Sequence, residues 1–355
     1  MNEKVIRDGD VIVRELGSLR RITLNRPKAL NAITLDMAET MTAFMRQWAD
    51  DPAVGAVLID GAGGRAFAAG GDIRALYDAA KSGDSLPERF WATEYHLNVL
   101  IARYRKPVIA IMDGVVMGGG VGLASHAAHR IVTENSSVAM PEVGIGFFPD
   151  VGVAFLLARA PGEVGTHLML TGDRIGAADA IYSGMADIHI PAARLAEIPT
   201  ALADCHMPEA VRASLDAMAT APAGGRLREA RSWIDHCYDA DEVAVIVERL
   251  RGSGNEAARA ALGPLEKASP TSLKVTLRNA RSALSFGRVE QSFQQDYRIA
   301  LACIAGHDFI EGIRATIVDK DRNPAWHPAR LEEVTDAIVE RHFKPVGTLE
   351  LNFPE

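Results

Sequence analysis

The stretch "KPVIAIMDGVVMGGGVGLASHAAHR", Lys106 to Arg130, joins a short apolar run to a cluster of glycines and then to a helical pattern. An apolar run bounded by proline and glycine is typical of a buried strand. The glycines allow the tight turn that a strand needs before a helix. This stretch therefore predicts a strand, a glycine-rich turn and a helix in immediate succession.

The same pattern occurs earlier in the chain. Residues 56–59 form an apolar run, and the segment "GAGGRAFAAGGDIRALYDAA" follows them from Gly61. A third strand is predicted in "RIVTENSSVAMPE", Arg130 to Glu142. Strand, turn and helix repeated in register favour a coil of ββα units. We expect an α/β protein with this repeated ββα core.

The segments before the first repeat also carry clear signals. "VIVREL" (Val11 to Leu16) and "LRRITLN" (Leu19 to Asn25) are predicted to pair around a tight turn at Gly17-Ser18. "LDMAETMTAFMRQWADD" has apolar residues at helical spacing, and Thr34 precedes it as a candidate N-cap.

The composition changes after about Pro191. Residues 191–355 are rich in Ala, Glu, Arg and Leu and show helical periodicity in "DEVAVIVERLRG", "SLKVTLRNARSAL" and "VEQSFQQDYRIALACIAG". "TAPAGGRL", Thr220 to Leu227, is a candidate linker by its proline and glycine. We predict a core at residues 1–190 and a helical C-terminal region at residues 191–355.

Composition excludes several classes of protein. The 355-residue chain has a formal net charge of -8 with mixed signs, which argues against nucleic acid or an anionic membrane as its main partner. Its three cysteines fit neither a disulfide framework nor a metal-ligand spacing. Because the first residues lack an apolar h-region and no run could span a bilayer, we expect a soluble cytoplasmic protein.

The two glycine-rich turns are the first candidates for chemistry. A helix N-terminus exposes unpaired backbone N–H groups, which stabilise an oxygen that gains negative charge. Two converging turns would supply the two donors of an oxyanion hole, and Gly71 and Gly119 are the predicted donors. The alternatives are that the glycines only permit tight turns, or that "GGGVG" belongs to a dinucleotide fold, whose usual glycine spacing is missing.

Glu142 and Asp150 are the second candidates. They lie eight positions apart in "MPEVGIGFFPDVG", Met140 to Gly152, which is otherwise almost wholly apolar, glycine or proline. A loop of this composition can turn both carboxyl groups into one apolar cavity, where burial and mutual repulsion alter their titration. Such a pair can serve as base or nucleophile and as proton donor. The alternative is structural, with Asp150 as the N-cap of the helix that follows.

Other polar residues carry weaker signals. His126 and His129 have helical spacing without a nearby acid of matching geometry, so no metal site is indicated. Ser125 is not in a nucleophile elbow, which disfavours a serine hydrolase. Glu94 lies on a predicted amphipathic helix, where the expectation from the residues alone is a solvated acid.

At these motifs the chain resembles the crotonase (enoyl-CoA hydratase/isomerase) superfamily. "LNRPKALNAI" resembles its N-terminal signature, "AFAAGGDIRAL" its first oxyanion turn and "DGVVMGGGVGLA" its second. The resemblance covers essentially the whole chain. It implies a spiral ββα core and an acyl-CoA substrate, with coenzyme A as part of the substrate and no separate cofactor.

Two departures are similar to the 3-hydroxyisobutyryl-CoA hydrolase branch of that superfamily. Hydratases usually place a glutamate where this chain has Gly122, and a glycine where it has Asp150. "EYHLN", "SPTSLKVTLRNA" and "GHDFIEGIRATIVDKDRNPAWHP" also resemble the branch, the last of them outside the shared core. The branch commonly has "DVGGG" where this chain has Val153 and Ala154, which affects the expected shape of the acyl pocket.

The resemblance implies hydrolysis of a short 3-hydroxyacyl-CoA thioester, in valine catabolism. It implies Glu142 and Asp150 as the catalytic pair, with the N–H groups of Gly71 and Gly119 around the thioester oxygen. Further implied substrate-binding residues are Glu94, Ala68, Ala69, Gly70, Asp72 and Gly118. Two alternatives stay open: a hydratase or isomerase of the same fold, and a non-catalytic acyl-CoA-binding protein. Relatives often form trimers or hexamers, so a homo-oligomer is expected.

Overall fold

The computed structural model describes residues 4–354 and contains two β-sheets among many helices. The predicted α/β class is therefore confirmed. The strands are β1 Lys4–Asp8, β2 Val11–Leu16, β3 Leu19–Leu24, β4 Ala56–Gly61, β5 Ala66–Ala68, β6 Val108–Met112, β7 Val115–Met117, β8 His129–Val132, β9 Ser137–Ala139 and β10 Ile188–His189.

The α-helices occupy most of the remaining chain. They are α1 Leu35–Ala49, α2 Ile73–Ser82, α3 Leu86–Ala102, α4 Gly119–Ser125, α5 Val153–Leu157, α6 Val164–Thr171, α7 Ala177–Tyr182, α8 Ile198–Leu202, α9 Pro208–Asp216, α10 Leu227–Tyr238, α11 Val243–Gly252, α12 Glu256–Ala260, α13 Leu262–Lys267, α14 Pro270–Ala283, α15 Val289–Ile304, α16 Asp308–Ile313 and α17 Asp336–Arg341. Short 3₁₀ turns include Glu142–Ile145 and Ala192–Glu197.

The repeats predicted from the sequence appear as alternation between the two sheets. The seven-stranded sheet has the order β1-β2-β3-β4-β6-β8-β10, and the three-stranded sheet has the order β5-β7-β9. Each repeat thus gives one strand to the large sheet and the next to the small sheet. The prediction of a single strand in Arg130 to Glu142 is wrong, because that segment forms both β8 and β9.

Two local predictions near the N-terminus are confirmed. β2 and β3 pair antiparallel with Leu16 opposite Leu19, so that Gly17-Ser18 forms the turn. Thr34 caps α1, since its side chain accepts a hydrogen bond from the backbone N–H of Met37 at 3.2 Å. This bond satisfies one of the donors that a helix leaves unpaired at its first turn.

The chain divides into two compact units that alternate along the sequence. The sheet unit comprises the chain up to Gly71, Thr93–Val138 and Ile175–Gly225. The helical unit comprises Asp72–Ala92, Ala139–Arg174 and the chain from Arg226 onward. The predicted linker contains the boundary after Gly225, whereas the predicted division at residue 190 stays a prediction.

The sheet unit has its core on the large sheet. Parallel pairing of β4 with β6 and of β6 with β8 aligns aliphatic side chains into a continuous apolar face. Ile198, Leu202, Val211 and Leu215 from α8 and α9 belong to the same buried cluster as these strand residues. Burial of such side chains is the dominant stabilising contribution to the unit.

The helical unit contains the predicted C-terminal helices. α11 and α15 lie within the segments whose periodicity predicted them, and α14 begins two residues before its segment. α14 begins with a strong start signal, since Ser269 accepts the N–H of Ser272 at 3.0 Å and Pro270 is the first helical residue. Among the residues described, no helix is both long and apolar enough to cross a membrane.

Candidate active site

The two glycine turns, Ala69–Gly71 and Gly118–Gly119, lie side by side in the sheet unit. β5 and β7 pair in parallel, so the segments that follow them leave the small sheet at the same edge. A Cβ built on Gly70 would lie 3.7 Å from the carbonyl oxygen of Met117 and 4.0 Å from the Cα of Gly118. The predicted convergence of the glycine turns is thus present in the structure.

Neighbouring backbone holds the first glycine turn. The N–H of Ala69 donates to the carbonyl of Leu30 at 3.0 Å, and the N–H of Ile33 donates to the carbonyl of Gly70 at 2.9 Å. Gly70 has a φ of +108°, a conformation that residues with a Cβ rarely adopt. The turn therefore depends on glycine and on backbone contacts.

The second glycine turn leads directly into α4. Gly119 is the first helical residue, and Gly118 before it has a φ of +48°. A Cβ on Gly119 would lie 2.2 Å from Oε1 of Glu94 and 3.2 Å from Cδ1 of Ile33. A side chain at this position would displace the Glu94 carboxyl, so the backbone of Gly119 lies close to that carboxyl group.

Glu94 itself lies on α3 and is only 2% exposed. The expectation of a solvated helix acid is therefore wrong. The periodicity of the segment misled because α3 is buried around much of its circumference, and Tyr95, Leu97 and Asn98 have no exposed surface. A buried carboxyl group is costly unless it is neutral or has polar partners, so Glu94 is a candidate functional residue, and its contact with substrate stays a prediction.

The carboxyl loop, Glu142–Gly152, belongs to the helical unit. It opens with the 3₁₀ turn Glu142–Ile145, which ends at Gly146 with a φ of +72°. A Cβ on Gly146 would lie 2.0 Å from the carbonyl oxygen of Asp308. A second contact also fixes the loop: the carbonyl of Val143 accepts a hydrogen bond from the N–H of Ser269 at 3.1 Å.

Aromatic rings pack beside the loop and keep it apolar. Trp91 stacks on Phe147 with ring centroids 5.3 Å apart, and Phe309 lies 5.2 Å from Phe147. All three side chains are buried. These contacts lower the local dielectric around the carboxyl groups of the loop, which strengthens the interactions between charges.

Glu142 is the strongly perturbed acid of the loop. Its side chain is 6% exposed, and Oε2 is buried without a hydrogen-bond partner among residues 4–354. Burial raises the pKa of Glu142 well above its usual range, and the charge of Asp150 raises it further. Glu142 is therefore buried in the apolar loop as predicted, and its role as one of a catalytic pair stays a prediction.

Asp150 closes the loop and is 5% exposed. Its backbone carbonyl accepts the N–H of Val153 at 3.0 Å, which starts α5. The N-cap of α5 is Gly152, and that cap has no side-chain hydrogen bond. The alternative that places Asp150 itself at the N-cap position of this helix is therefore wrong.

A third buried acid was missed by sequence reasoning. Asp296 lies on α15 with no exposed surface, and its Oδ2 accepts the N–H of Gly152 at 2.8 Å. It occurs in "QQDYRIA", where nothing in the local pattern distinguishes it from the solvated acids of a helix. No signal in the sequence links it to a loop 144 positions away.

Ala68 and Asp72, two further predicted substrate-binding residues, lie on either side of the first glycine turn. The carbonyl oxygen of Ala68 would lie 2.2 Å from a Cβ on Gly120, so this turn too requires glycine. Asp72 caps α2, since Oδ1 accepts the N–H of Ala75 at 3.3 Å. This contact gives Asp72 a structural role, and its contact with substrate stays a prediction.

The two sheets with alternating ββα repeats, the glycine turns and the buried acids define a class of protein. A sequence profile described as enoyl-CoA hydratase/isomerase matches residues 19–343. The chain therefore belongs to the enoyl-CoA hydratase/isomerase family, and the predicted crotonase-like core is confirmed.

Curated relatives identify the branch. The chain is 39% identical to the mitochondrial 3-hydroxyisobutyryl-CoA hydrolase of Xenopus tropicalis, over 99% of this chain and 93% of the relative. It is 40% identical to the enzyme of the same name from Rattus norvegicus, over 97% of this chain and 91% of the relative. The predicted resemblance to this hydrolase branch, and the prediction that the chain is an enzyme, are confirmed.

Solved structures support the same fold but carry other names. A carnitinyl-CoA dehydratase from Mycobacterium thermoresistibile has a TM-score of 0.92 and 45% identity, covering 98% of this chain and 99% of that one. An enoyl-CoA hydratase from Rhodobacter sphaeroides has a TM-score of 0.90 and 40% identity, covering 97% of this chain and 100% of that one.

One expectation is overturned by these relatives. The sequence predicted a cytoplasmic protein, whereas both curated relatives are named mitochondrial. The prediction used the missing h-region of a secretory signal, a feature that does not distinguish these two compartments.

Proposed function

We propose that the chain hydrolyses the thioester of 3-hydroxyisobutyryl-CoA, or of a similar short 3-hydroxyacyl-CoA, to the free hydroxy acid and coenzyme A. The observation that carries the proposal is the buried carboxyl pair of Glu142 and Asp150 in the helical unit. The names of the curated relatives support the same reaction.

The glycine turns would stabilise the charge that develops during the reaction. Attack on the thioester carbon moves negative charge onto its oxygen, and the N–H groups of Gly71 and Gly119 would donate to that oxygen. Removal of one such donor costs about 10²–10³-fold in kcat in well-studied enzymes. The close packing around Gly119, where a Cβ would lie 2.2 Å from Oε1 of Glu94, supports this role.

Glu142 would start the reaction and Asp150 would complete it. As a base, the Glu142 carboxylate takes a proton from water while the water oxygen bonds to the thioester carbon. The C–S bond then breaks, and Asp150, which holds the single proton of the pair at this stage, donates it to the departing thiolate. The proton that Glu142 took from water then returns to Asp150, which restores the starting pair. The raised pKa of Glu142 makes its anion a stronger base than an exposed glutamate.

A covalent route uses the same groups. The Glu142 carboxylate attacks the thioester carbon, the C–S bond breaks, and water then opens the resulting anhydride. Single turnover in heavy-oxygen water detects one form of the covalent route. Heavy oxygen in the Glu142 carboxyl requires the covalent route with water attack on the enzyme side of the anhydride.

A hydratase is the second candidate function, because the two solved structures carry dehydratase and hydratase names. Hydratases of the family usually place a second glutamate at the position of Gly122. In this chain that position, on α4, has no side chain. Addition of water to a double bond usually uses both acids, so we favour hydrolysis.

The deciding experiment measures free thiol and enoyl absorbance with 3-hydroxyisobutyryl-CoA and crotonyl-CoA. Thiol release from the first substrate supports the hydrolase, and loss of enoyl absorbance without thiol release contradicts it. Glu142→Gln should lower thiol release by about 10²–10⁴-fold and retain acyl-CoA binding. Glu340→Gln is the matched control, because this acid of the same unit is about half exposed and pairs with Arg278.

The remaining assignments follow from the same proposal. Glu94 would contact the hydroxyacyl end of the substrate, and residues of the glycine turns would line the path of the thioester. The reaction would belong to valine breakdown. A homo-oligomer stays a prediction.

A further inference from the structure

The carboxyl loop is held by a third acid from a distant part of the chain. Asp296 on α15 is fully buried. Burial raises its pKa well above the usual range, and the charge of Asp150 raises it further. A buried acid that no solvent reaches requires a reason for its presence.

Both oxygens of Asp296 accept hydrogen bonds from fixed donors. Oδ2 accepts the backbone N–H of Gly152 at 2.8 Å, and Oδ1 accepts Nδ2 of Asn279 at 3.1 Å. Oδ1 of Asn279 in turn accepts Nε2 of Gln295 at 2.6 Å. This chain of bonds orients the Asp296 carboxyl towards the loop and leaves it little freedom to rotate.

The turn that Asp296 holds has an unfavourable backbone. Val151 has a φ of +53° and Gly152 a φ of +73°, two successive left-handed residues directly after Asp150. A β-branched residue in this region is strained, and it stays there only where surrounding contacts determine it. The bond from Gly152 to Asp296 is such a contact, because it is buried and ties the second residue of the turn to a separate helix.

We propose that Asp296 is a positioning residue, which holds the left-handed turn at Val151-Gly152 and thereby fixes the direction of the Asp150 carboxyl. The effect on the reaction rests on the proposed function. The effect on the turn does not, and it holds for either chemical route.

The kinetic test compares three variants with wild type. D296A should lower kcat by about 100-fold with KM nearly unchanged, because it displaces Asp150 without removing a contact to the coenzyme. The double variant D296N/N279D exchanges amide and carboxylate. It retains an acceptor for Gly152 and for Gln295, so it should restore most of the rate. E290Q removes another acid of α15 and should behave as wild type.

Hydrogen exchange at the Gly152 amide tests the turn independently of activity. D296A should accelerate this exchange by about tenfold or more, the equivalent of one lost hydrogen bond. D296N/N279D should keep the wild-type protection of the Gly152 amide. If D296A fails to fold, the comparison of this double variant with wild type still tests the proposal.

Two results would overturn the proposal. The first is wild-type exchange and wild-type kcat in D296A. The second is a double variant that protects Gly152 yet is as slow as D296A, since charge rather than position would then matter. If wild type releases no thiol, the proposed function fails and the exchange data alone decide this proposal.

Discussion

The glycine turns of the sheet unit and the carboxyl loop of the helical unit are held by different kinds of contact. Strands β5 and β7 and the backbone near Leu30 and Ile33 hold the glycine turns. The carboxyl loop is held by contacts with remote helices, among them Asp296 and the backbone of Asp308. An added atom should therefore lower the rate when it lies in a glycine turn. In the carboxyl loop it should lower stability, because it disturbs the contacts with remote helices.

The largest expected effect is that of Gly119→Ala, which adds one atom to a glycine turn. Its Cβ would lie 2.2 Å from Oε1 of Glu94, so α4 or the carboxyl must move. Because both belong to the proposed site, kcat/KM for thiol release should fall by about 10²–10³-fold. Thermal unfolding should change far less, since the displaced atom ends a side chain.

Gly176→Ala is the control for this change in the same unit. Gly176 has a φ of -87°, and a Cβ there would meet nothing within 4 Å. Its kcat/KM should match wild type. Equal rates in both variants would show that the Gly119 turn does not contribute to catalysis.

The next prediction concerns the backbone contact that holds the carboxyl loop. Gly146→Ala adds a Cβ 2.0 Å from the carbonyl oxygen of Asp308, at a φ of +72°. We expect the free energy of unfolding to fall by at least about 2 kcal/mol, measured by urea denaturation. Because backbone faces backbone, no rotamer change relieves this clash.

A neighbouring glycine should respond with the opposite sign. A Cβ on Gly144 would meet nothing within 4 Å, and its φ is not left-handed. Gly144→Ala should therefore be neutral or stabilise by up to about 1 kcal/mol, since alanine restricts the unfolded chain. Destabilisation of both variants by the same amount would mean that the contact with Asp308 is unimportant.

The same difference explains what the sequence could predict. The glycine turns could be predicted because strand, turn and glycine are neighbours in the chain. The hairpin at Gly17-Ser18 and the cap at Thr34 could be predicted for the same reason. The acids of the carboxyl loop could be identified as candidates because they interrupt a run of apolar residues.

Features that depend on residues far away in the chain could not be predicted from the sequence. The burial of Glu94 depends on what packs around α3, so periodicity alone predicted a solvated acid. β8 and β9 pair with different strands, which the segment between Arg130 and Glu142 does not encode locally. Asp296 acquires its partner only through the packing of α15.

The charge of Glu142 should make the stability of the carboxyl loop depend on pH. Its pKa is raised in the folded state by burial and by Asp150, so the folded state binds its proton more tightly than the unfolded state. This contribution to stability is complete below the usual glutamate range and is lost as the pH rises through the folded pKa.

Glu142→Gln removes that dependence. The Tm of the variant minus that of wild type should increase from about pH 4 to about pH 8, because only wild type must ionise a buried acid. Calorimetry at a series of pH values measures the difference, with Glu340→Gln as the exposed control. A difference that is constant with pH would mean that Glu142 titrates normally.

A purely local contact in the sheet unit should affect stability and leave catalysis unchanged. Thr34→Ala removes the acceptor for the N–H of Met37 at the start of α1 and should cost about 1 kcal/mol of unfolding free energy. Thr34→Ser keeps a hydroxyl and should lose much less. Thiol release at saturating substrate should stay at the wild-type rate in both variants, because the glycine turns are fixed by strand pairing and nearby backbone contacts. A loss of rate in Thr34→Ala would show that the start of α1 influences the first glycine turn through Ile33, which precedes the cap and bonds to Gly70.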